Sequence, residues 1–262
     1  MKPVRSYLFV PGDRPERFDK AWNAGAGTVI IDLEDAVAPT AKAAARSSIA
    51  QWLDVARPVA VRINAADTEW FQEDLQLCRH PGVRAVMLPK AEDAVEVGAV
   101  RSTVPDAAVL PLVESARGFA NAPALAGAPG VLRLVFGSID FQLDLGIQGE
   151  GEELLFFRSQ LVLVSRLAGI AAPVDGVSMA LSDPEALRAE VLRARRLGFG
   201  AKLCIHPRQV AVVESGFAPS PEERAWAMRV VEAADRAGGA AVALDGQMID
   251  KPVVLRARAL LS

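Results

Sequence analysis

Along most of the chain, short apolar runs alternate with stretches whose apolar residues recur at helical spacing. The runs fall at residues 6–10, 28–33, 59–63, 85–88, 109–113, 132–136, 176–179 and 201–205. They are apolar at nearly every position, as expected for strands covered on both faces. The stretches between them carry helix signals. Residues 14–24 stop at Gly25, 41–53 place Ile49 and Trp52 on one face, and Thr68 precedes Trp70-Phe71 with Leu75 a turn further on. Ser182-Asp183-Pro184-Glu185 is a capping-box pattern opening a helix over 185–197 that stops before Gly198. Ser220-Pro221-Glu222-Glu223 repeats that signal for a long helix ending near Gly238-Gly239.

Eight strands separated by helices predict an α/β fold, a (β/α)8 TIM barrel over residues 1–240 that carries the active site. A short C-terminal extension, 241–262, follows it. The alternative is an open doubly wound sheet, but no GxGxxG or GxxxxGK[ST] follows any strand, so the usual nucleotide fingerprints are absent.

Composition narrows the class of function. A length of 262 residues suits a single barrel, and 51% hydrophobic residues suffice for a large core. Net charge −3 and a pI near 5.6 give no basic footprint, so no nucleic-acid partner is expected. Cys78 and Cys204 have no CxxC partner, which fits a reducing compartment. The opening residues enter a strand-like run without a signal-peptide stretch, and no apolar run reaches membrane-spanning length. The expected location is the cytoplasm, with no membrane partner. His80, in a turn signal, and His206 are the only histidines, which argues against a His-rich zinc site and against a Ser-His-Asp triad unless His206 serves in it.

In such a barrel the residues at the carboxyl ends of the strands face the site. Glu114 ends the fifth run and Asp140 follows the sixth, one βα unit apart, while Arg62 holds the same kind of position on the third. Hard cations such as Mg²⁺ take oxygen ligands, often one or two protein carboxylates with the rest from water and substrate. A fixed guanidinium nearby suits a carboxylate or enolate. Glu114 and Asp140 are therefore the candidate metal ligands, and Arg62 the candidate catalytic and substrate-binding group. On the second strand, alternation sends Asp32 and Glu34 to one side, where they can hold the Arg62 fork. Asp35 then faces the site or caps the next helix. Glu34, Asp35, Gly137 and Ser138 join the substrate-contact candidates.

These strand ends resemble the motif series of the citrate lyase beta subunit family, which sits with the malyl-CoA and citramalyl-CoA lyases in the HpcH/HpaI aldolase superfamily. The matching segments are Arg5-Ser6-Tyr7-Leu8-Phe9-Val10-Pro11-Gly12, Asp32-Leu33-Glu34-Asp35-Ala36-Val37, Val61-Arg62-Ile63-Asn64, Leu88-Pro89-Lys90, Val113-Glu114-Ser115-Ala116, Ile205-His206-Pro207 and Gly246-Gln247-Met248-Ile249-Asp250-Lys251-Pro252. They run in order through essentially the whole chain. The resemblance implies a Mg²⁺-dependent carbon–carbon lyase that cleaves a 3-hydroxy-acyl thioester reversibly into an acyl thioester and a 2-oxo acid. By the same resemblance Glu114 and Asp140 take the metal, and Arg62 takes the substrate's oxygens. Pro11, Arg14 and the first loop lie where the family holds CoA or an acyl-carrier phosphopantetheine. Asp250 matches an acidic residue lent to a neighbouring subunit's site, which implies a homo-oligomer, a trimer or hexamer, with the extension packed on its neighbour. The metal-ligand strand of the family often reads Gly-x-Glu-Asp, and here Ile139 replaces the glutamate.

Other readings of the same residues stay open at this level. A class I aldolase would use Lys90 or Lys202 as a Schiff-base nucleophile. A class II 2-oxo acid aldolase would use the same metal with free aldehydes. A non-catalytic relative would only bind 2-oxo acids or act as a scaffold. Asp250 is also well placed to cap the final helix.

Overall fold

Strand residues alternate between the two faces of a sheet, and here the alternation closes on itself. The computed structural model describes residues 3–238 and 240–261. Met1, Lys2, Ser262 and Gly239, the last being the second glycine of the expected helix stop, lie outside the described residues. Strands β1 (Ser6–Pro11), β2 (Thr28–Asp32), β3 (Val59–Arg62), β4 (Val83–Leu88), β5 (Ala108–Val113), β6 (Val135–Phe136), β7 (Val174–Asp175) and β8 (Ala201–Cys204) form a closed barrel in chain order. Every pairing is parallel, including β1 with β8. The fold is the expected TIM barrel.

Two apolar layers follow from the alternation. Tyr7, Ile30, Ala60, Met87, Leu110, Leu112, Val135, Val174, Ala201 and Leu203 fill the interior as one cluster. Their neighbours Leu8, Ile31, Val61, Val86, Val109 and Cys204 belong to the larger cluster shared with the helices. The helix signals hold with small shifts. The helix expected from Glu185 begins at Pro184, and its cap is Asp183, which accepts from the Glu185 and Ala186 amides, rather than Ser182. Gly198 stops it in a left-handed conformation (φ 101°) that costs glycine nothing.

The seventh strand is displaced from the expected run at 176–179 to Val174–Asp175. Asp175 is a fully buried carboxylate on the outer face of the barrel, paired with Arg158 at 2.8 Å and with Lys202 at 3.0 Å. All three side chains are essentially without solvent.

The chain divides into two compact units, Met1–Phe217 and Ala218–Ser262. The division falls before the boundary expected at 240. The helix Pro221–Arg236 packs its Ala227 and Val230 with Ile249 and Ala257 of the second unit. Its capping box joins Ser220 and Glu223 as expected. The second unit then makes a hairpin, β9 (Val242–Leu244) with β10 (Gln247–Ile249), and ends in the helix Lys251–Leu261. The turn is Asp245-Gly246, both at positive φ (52° and 77°), the pairing that a two-residue hairpin turn favours.

Removing Asp175 leaves Arg158 without its carboxylate and Lys202 with only Glu190, at 3.4 Å. Asp175→Asn should cost roughly 3–5 kcal/mol in urea unfolding at neutral pH. Burial alone would raise the Asp175 pKa, but Lys202 and Arg158 outweigh it and hold the carboxyl below its ordinary value. A depressed folded pKa stabilises fully above the unfolded value, near ~3.9, and that contribution fades as pH falls through the folded value. The gap between wild type and variant should therefore be constant above about pH 5 and shrink below pH 4. A gap unchanged down to pH 2 would contradict this account.

Candidate active site

Asp32 and Arg62 are register partners on β2 and β3, and both follow the inward phase set by Ile30 and Ala60. They meet as a two-point pair, Arg62 Nε donating to Asp32 Oδ1 at 2.7 Å and Nη2 to Oδ2 at 2.6 Å. Nη1 lies 2.9 Å from Glu34 Oε2 and 3.7 Å from Asp35 Oδ2. The guanidinium sits 4.9 Å from the centre of the Phe9 ring. Burial opposes the charge on Arg62, but the hydrogen bonds and charge of Asp32, with Glu34 and Asp35 behind it, raise its pKa above the ordinary value. The fork expected from the sequence is thus fixed in one orientation before any ligand arrives.

Glu114 continues the inward phase of Leu110 and Leu112 and is 5% exposed. Its Oε1 accepts the Lys90 backbone N–H at 2.7 Å. Its Oε2 lies against Gly137, where an added Cβ would come within 2.7 Å of it and 2.6 Å of Glu114 Cβ. Gly137 is therefore a space-making residue rather than a polar contact. Burial, then the charges of Glu34 and Asp140, push the Glu114 carboxyl up to about 8 against the opposing Lys90 N–H.

Asp140 stands in the first turn of the helix Ser138–Leu145, exposed, with no hydrogen bond to its carboxylate among the described residues. It shares one cavity of about 60 Å³ with Arg62, Glu114, Gly137 and Ser138, walled by Phe9, Leu112, Ile139, Val177 and Leu203. The buried Ser138 hydroxyl has no hydrogen-bond partner among the described residues, and Gly176 is the residue that leaves room for it. The sequence-derived trio of Arg62, Glu114 and Asp140 therefore converges on one pocket at the carboxyl ends of the strands. Among the described residues no group of three or more His, Cys, Asp or Glu forms a ready-made cage. Two carboxylates, one destabilised in its charged form by acidic neighbours, nevertheless fit a hard dication that completes its shell with water and substrate.

The HpcH/HpaI aldolase/citrate lyase family profile matches residues 5–207, the barrel and its whole ring of strand ends. The chain belongs to that family. Within it, the citrate lyase subunit beta-like protein of Deinococcus radiodurans is 40% identical, covering 99% of this chain and 96% of its own. The (3S)-malyl-CoA thioesterase of Cereibacter sphaeroides is 34% identical over 99% of this chain and 94% of its own. The crystal structure of CitE from Mycobacterium tuberculosis in complex with magnesium, acetoacetate and coenzyme A superposes with a TM-score of 0.88 at 37% identity, covering 99% and 97% of the two chains.

The remaining family positions are distributed unevenly. Pro11 lines a separate cavity of about 340 Å³ with Arg17, Lys20 and His206, whereas Arg14 is exposed and pairs with Glu16 at 3.3 Å. Asp250, in the second unit, is exposed and caps the last helix, its Oδ1 accepting the Val253 N–H at 3.3 Å.

Both candidate Schiff-base lysines are unsuited to that role. Lys202 is fully buried on the outer face in its pairing with Asp175. Burial lowers the Lys90 pKa, but the Glu34 hydrogen bond and charge outweigh it, so the net shift is upward, away from a free amine.

Sequence reasoning missed Lys42, a buried ammonium that donates to the Leu33 and Glu34 carbonyls at 2.8 and 3.0 Å and so shapes the loop after β2. It also missed Asp74, which accepts from the Asn64 backbone and side chain at 2.9 and 2.6 Å. Neither lies at a strand end; both are in helices, Lys42–Trp52 and Phe71–Cys78.

Gly137→Ala tests the space-making role. The new Cβ must displace Glu114, so Mn²⁺ binding followed by electron paramagnetic resonance should weaken by about tenfold or more, with melting lowered by only a few degrees. Unchanged Mn²⁺ affinity would show that Glu114 tolerates the displacement or does not bind the ion.

Proposed function

We propose that this protein is a Mg²⁺-dependent carbon–carbon lyase acting on a 3-hydroxy-acyl thioester of the citryl-, malyl- or citramalyl-CoA kind. The observation that carries this reading is the convergence of Arg62, Glu114 and Asp140 on one cavity. The family, and a neighbour holding magnesium, acetoacetate and coenzyme A, support it. In the cleavage direction the C3 hydroxyl loses its proton and the C2–C3 bond breaks. Its electron pair passes into a thioester enolate, and the released fragment is a 2-oxo acid. Glu114 and Asp140 would hold the Mg²⁺ ion, which would supply Lewis-acid stabilisation to the oxygen that becomes negative. Arg62, locked by Asp32, presents positive charge to the same oxygens without reorganising. The unpartnered Ser138 hydroxyl is free to donate to the acid's carboxylate.

The enolate carbon must then take a proton. Asp250 of a neighbouring subunit is the proposed acid, and the base in the condensation direction. Its cap to Val253 uses only one carboxylate oxygen and leaves the other available. The reading requires a homo-oligomer, a trimer or hexamer, with CoA or an acyl-carrier protein presenting the thioester. No helix among the described residues is long and apolar enough to cross a membrane.

The deciding assay supplies malyl-CoA and citramalyl-CoA with Mg²⁺ and traps 2-oxo acid as a hydrazone. Release of glyoxylate or pyruvate with acetyl-CoA supports the lyase. Free CoA with the intact hydroxy acid shows thioester hydrolysis instead and sinks the proposal. Arg62→Lys should lower kcat/KM by roughly 100-fold while the fold is kept, because an ammonium cannot reproduce the two-point fork. Near-normal turnover would make Arg62 structural only. Asp250→Asn subunits mixed with Glu114→Gln subunits, each inactive alone, should regain part of the activity. Mixtures that stay dead place each site within a single chain.

A further inference from the structure

Among the described residues of the barrel unit, Lys90 is the one non-glycine residue held at positive φ (47°). For an L-residue that conformation is strained by the close approach of Cβ to the backbone, and such strain persists only where the surroundings impose it. Two contacts define what it does. The backbone N–H points at Glu114 Oε1 at 2.7 Å, and the side-chain ammonium reaches Glu34 Oε1 at 2.5 Å. The backbone thus aims the proposed metal ligand, while the ammonium holds the carboxylate that flanks Arg62. The Lys90 side chain is half-exposed, whereas Glu34 is buried.

The charges around the pocket are unbalanced. Asp32, Glu34, Asp35, Glu114 and Asp140 are five carboxylates, and the cations whose charged groups meet them side chain to side chain are Arg62 and Lys90. Lys42 gives its hydrogen bonds to the Leu33 and Glu34 carbonyls and adds a third positive charge that acts on Asp32, Glu34 and Asp35. Removing one of three cations from such a cluster changes the field felt by every ligand, and by opposite signs for a cation and an anion.

We propose that Lys90 is a positioning residue with two separable functions: its left-handed backbone holds Glu114, and its ammonium sets the charge balance between the metal and an anionic substrate. The inference rests on the reading that this pocket takes a divalent cation and a carboxylate. A merely structural lysine would, when replaced, weaken both ligands together. A charge-balancing lysine moves them apart.

The test uses the full-length protein, with Mn²⁺ affinity measured by electron paramagnetic resonance and pyruvate and glyoxylate affinity measured by water-proton relaxation of the bound Mn²⁺. Lys90→Met should bind Mn²⁺ more tightly and the 2-oxo acids more weakly, each by about threefold or more at low salt, with the difference shrinking as salt is added. Lys90→Arg, which keeps the charge, should restore both affinities towards wild type. For the backbone, Lys90→Gly should melt higher than Lys90→Ala, because both lack the ammonium and only alanine pays for positive φ. Parallel weakening of both ligands in Lys90→Met, or no change in either, overturns the charge role. A Lys90→Gly variant no more stable than Lys90→Ala overturns the backbone role. Failure of the wild type to bind Mn²⁺ at all would instead remove the functional reading on which the inference stands.

Discussion

A guanidinium at the mouth of an apolar barrel has to be neutralised before a site can be assembled around it. An unpaired buried charge costs several kcal/mol, and a single carboxylate would leave most of the fork unsatisfied. Here the cost is met by register. Asp32 and Arg62 are direct partners on adjacent parallel strands, so side chains of the right length meet at both oxygens. One residue of slip in β3 would turn Arg62 outward and leave Asp32 alone in the interior. The strand pairing and the active-site geometry are therefore a single constraint. Lys42 and the Asn64–Asp74–Arg46 chain secure the loops on either side of it.

The other side of the barrel meets a related problem by a different route. β6 and β7 contribute only two residues each, too few for ladder hydrogen bonds to hold them firmly. On the outer face, Asp175 of β7 ties Lys202 of β8 to Arg158 on the covering helix Leu155–Leu167. Arg158 also lies over the ring of Phe136, on β6. The same region needs small residues on its inner side. Gly137 makes room for Glu114, and Gly176 for Ser138. Short strands with glycines at their ends thus let side chains from neighbouring elements enter the mouth, while ion pairs behind them supply the stiffness the backbone lacks.

This contrast explains what could be read from the chain before its structure. Asp32, Arg62 and Glu114 were legible because each continues the alternation of an apolar strand by one inward step. Asp140 was found for a weaker reason, since it belongs to the helix after β6 and not to a strand end. β7 lies ahead of the expected run because Pro173-Val174-Asp175-Gly176 reads as a turn, and nothing local shows that Asp175 meets Arg158 and Lys202 on the outer face of the barrel. Lys42 and Asp74 were invisible for the same reason: a buried charge is recognisable only through its partner, and those partners are distant in sequence. The helix Pro221–Arg236 announces its start through Ser220 and Glu223, but its apolar face does not say which neighbour it will cover, so a division before Ala218 is not legible in the chain.

The acidity of the pocket gives Ile139 a physical meaning. Its side chain is 42% exposed on the cavity wall, beside Asp140, at the position where the family often carries a glutamate. A sixth carboxylate there would add to five already facing Arg62, Lys90 and Lys42, and would raise further the cost of ionising Glu114. An isoleucine avoids that repulsion and joins Phe9, Leu112, Val177 and Leu203 in an apolar wall. Each interaction between the remaining charges is then stronger, because side chains replace water around them. On the proposed reading the pocket would sort its ligands by region: a dication would sit with Glu114 and Asp140, an anionic oxygen at Arg62, and the uncharged part of the substrate against the wall that Ile139 extends.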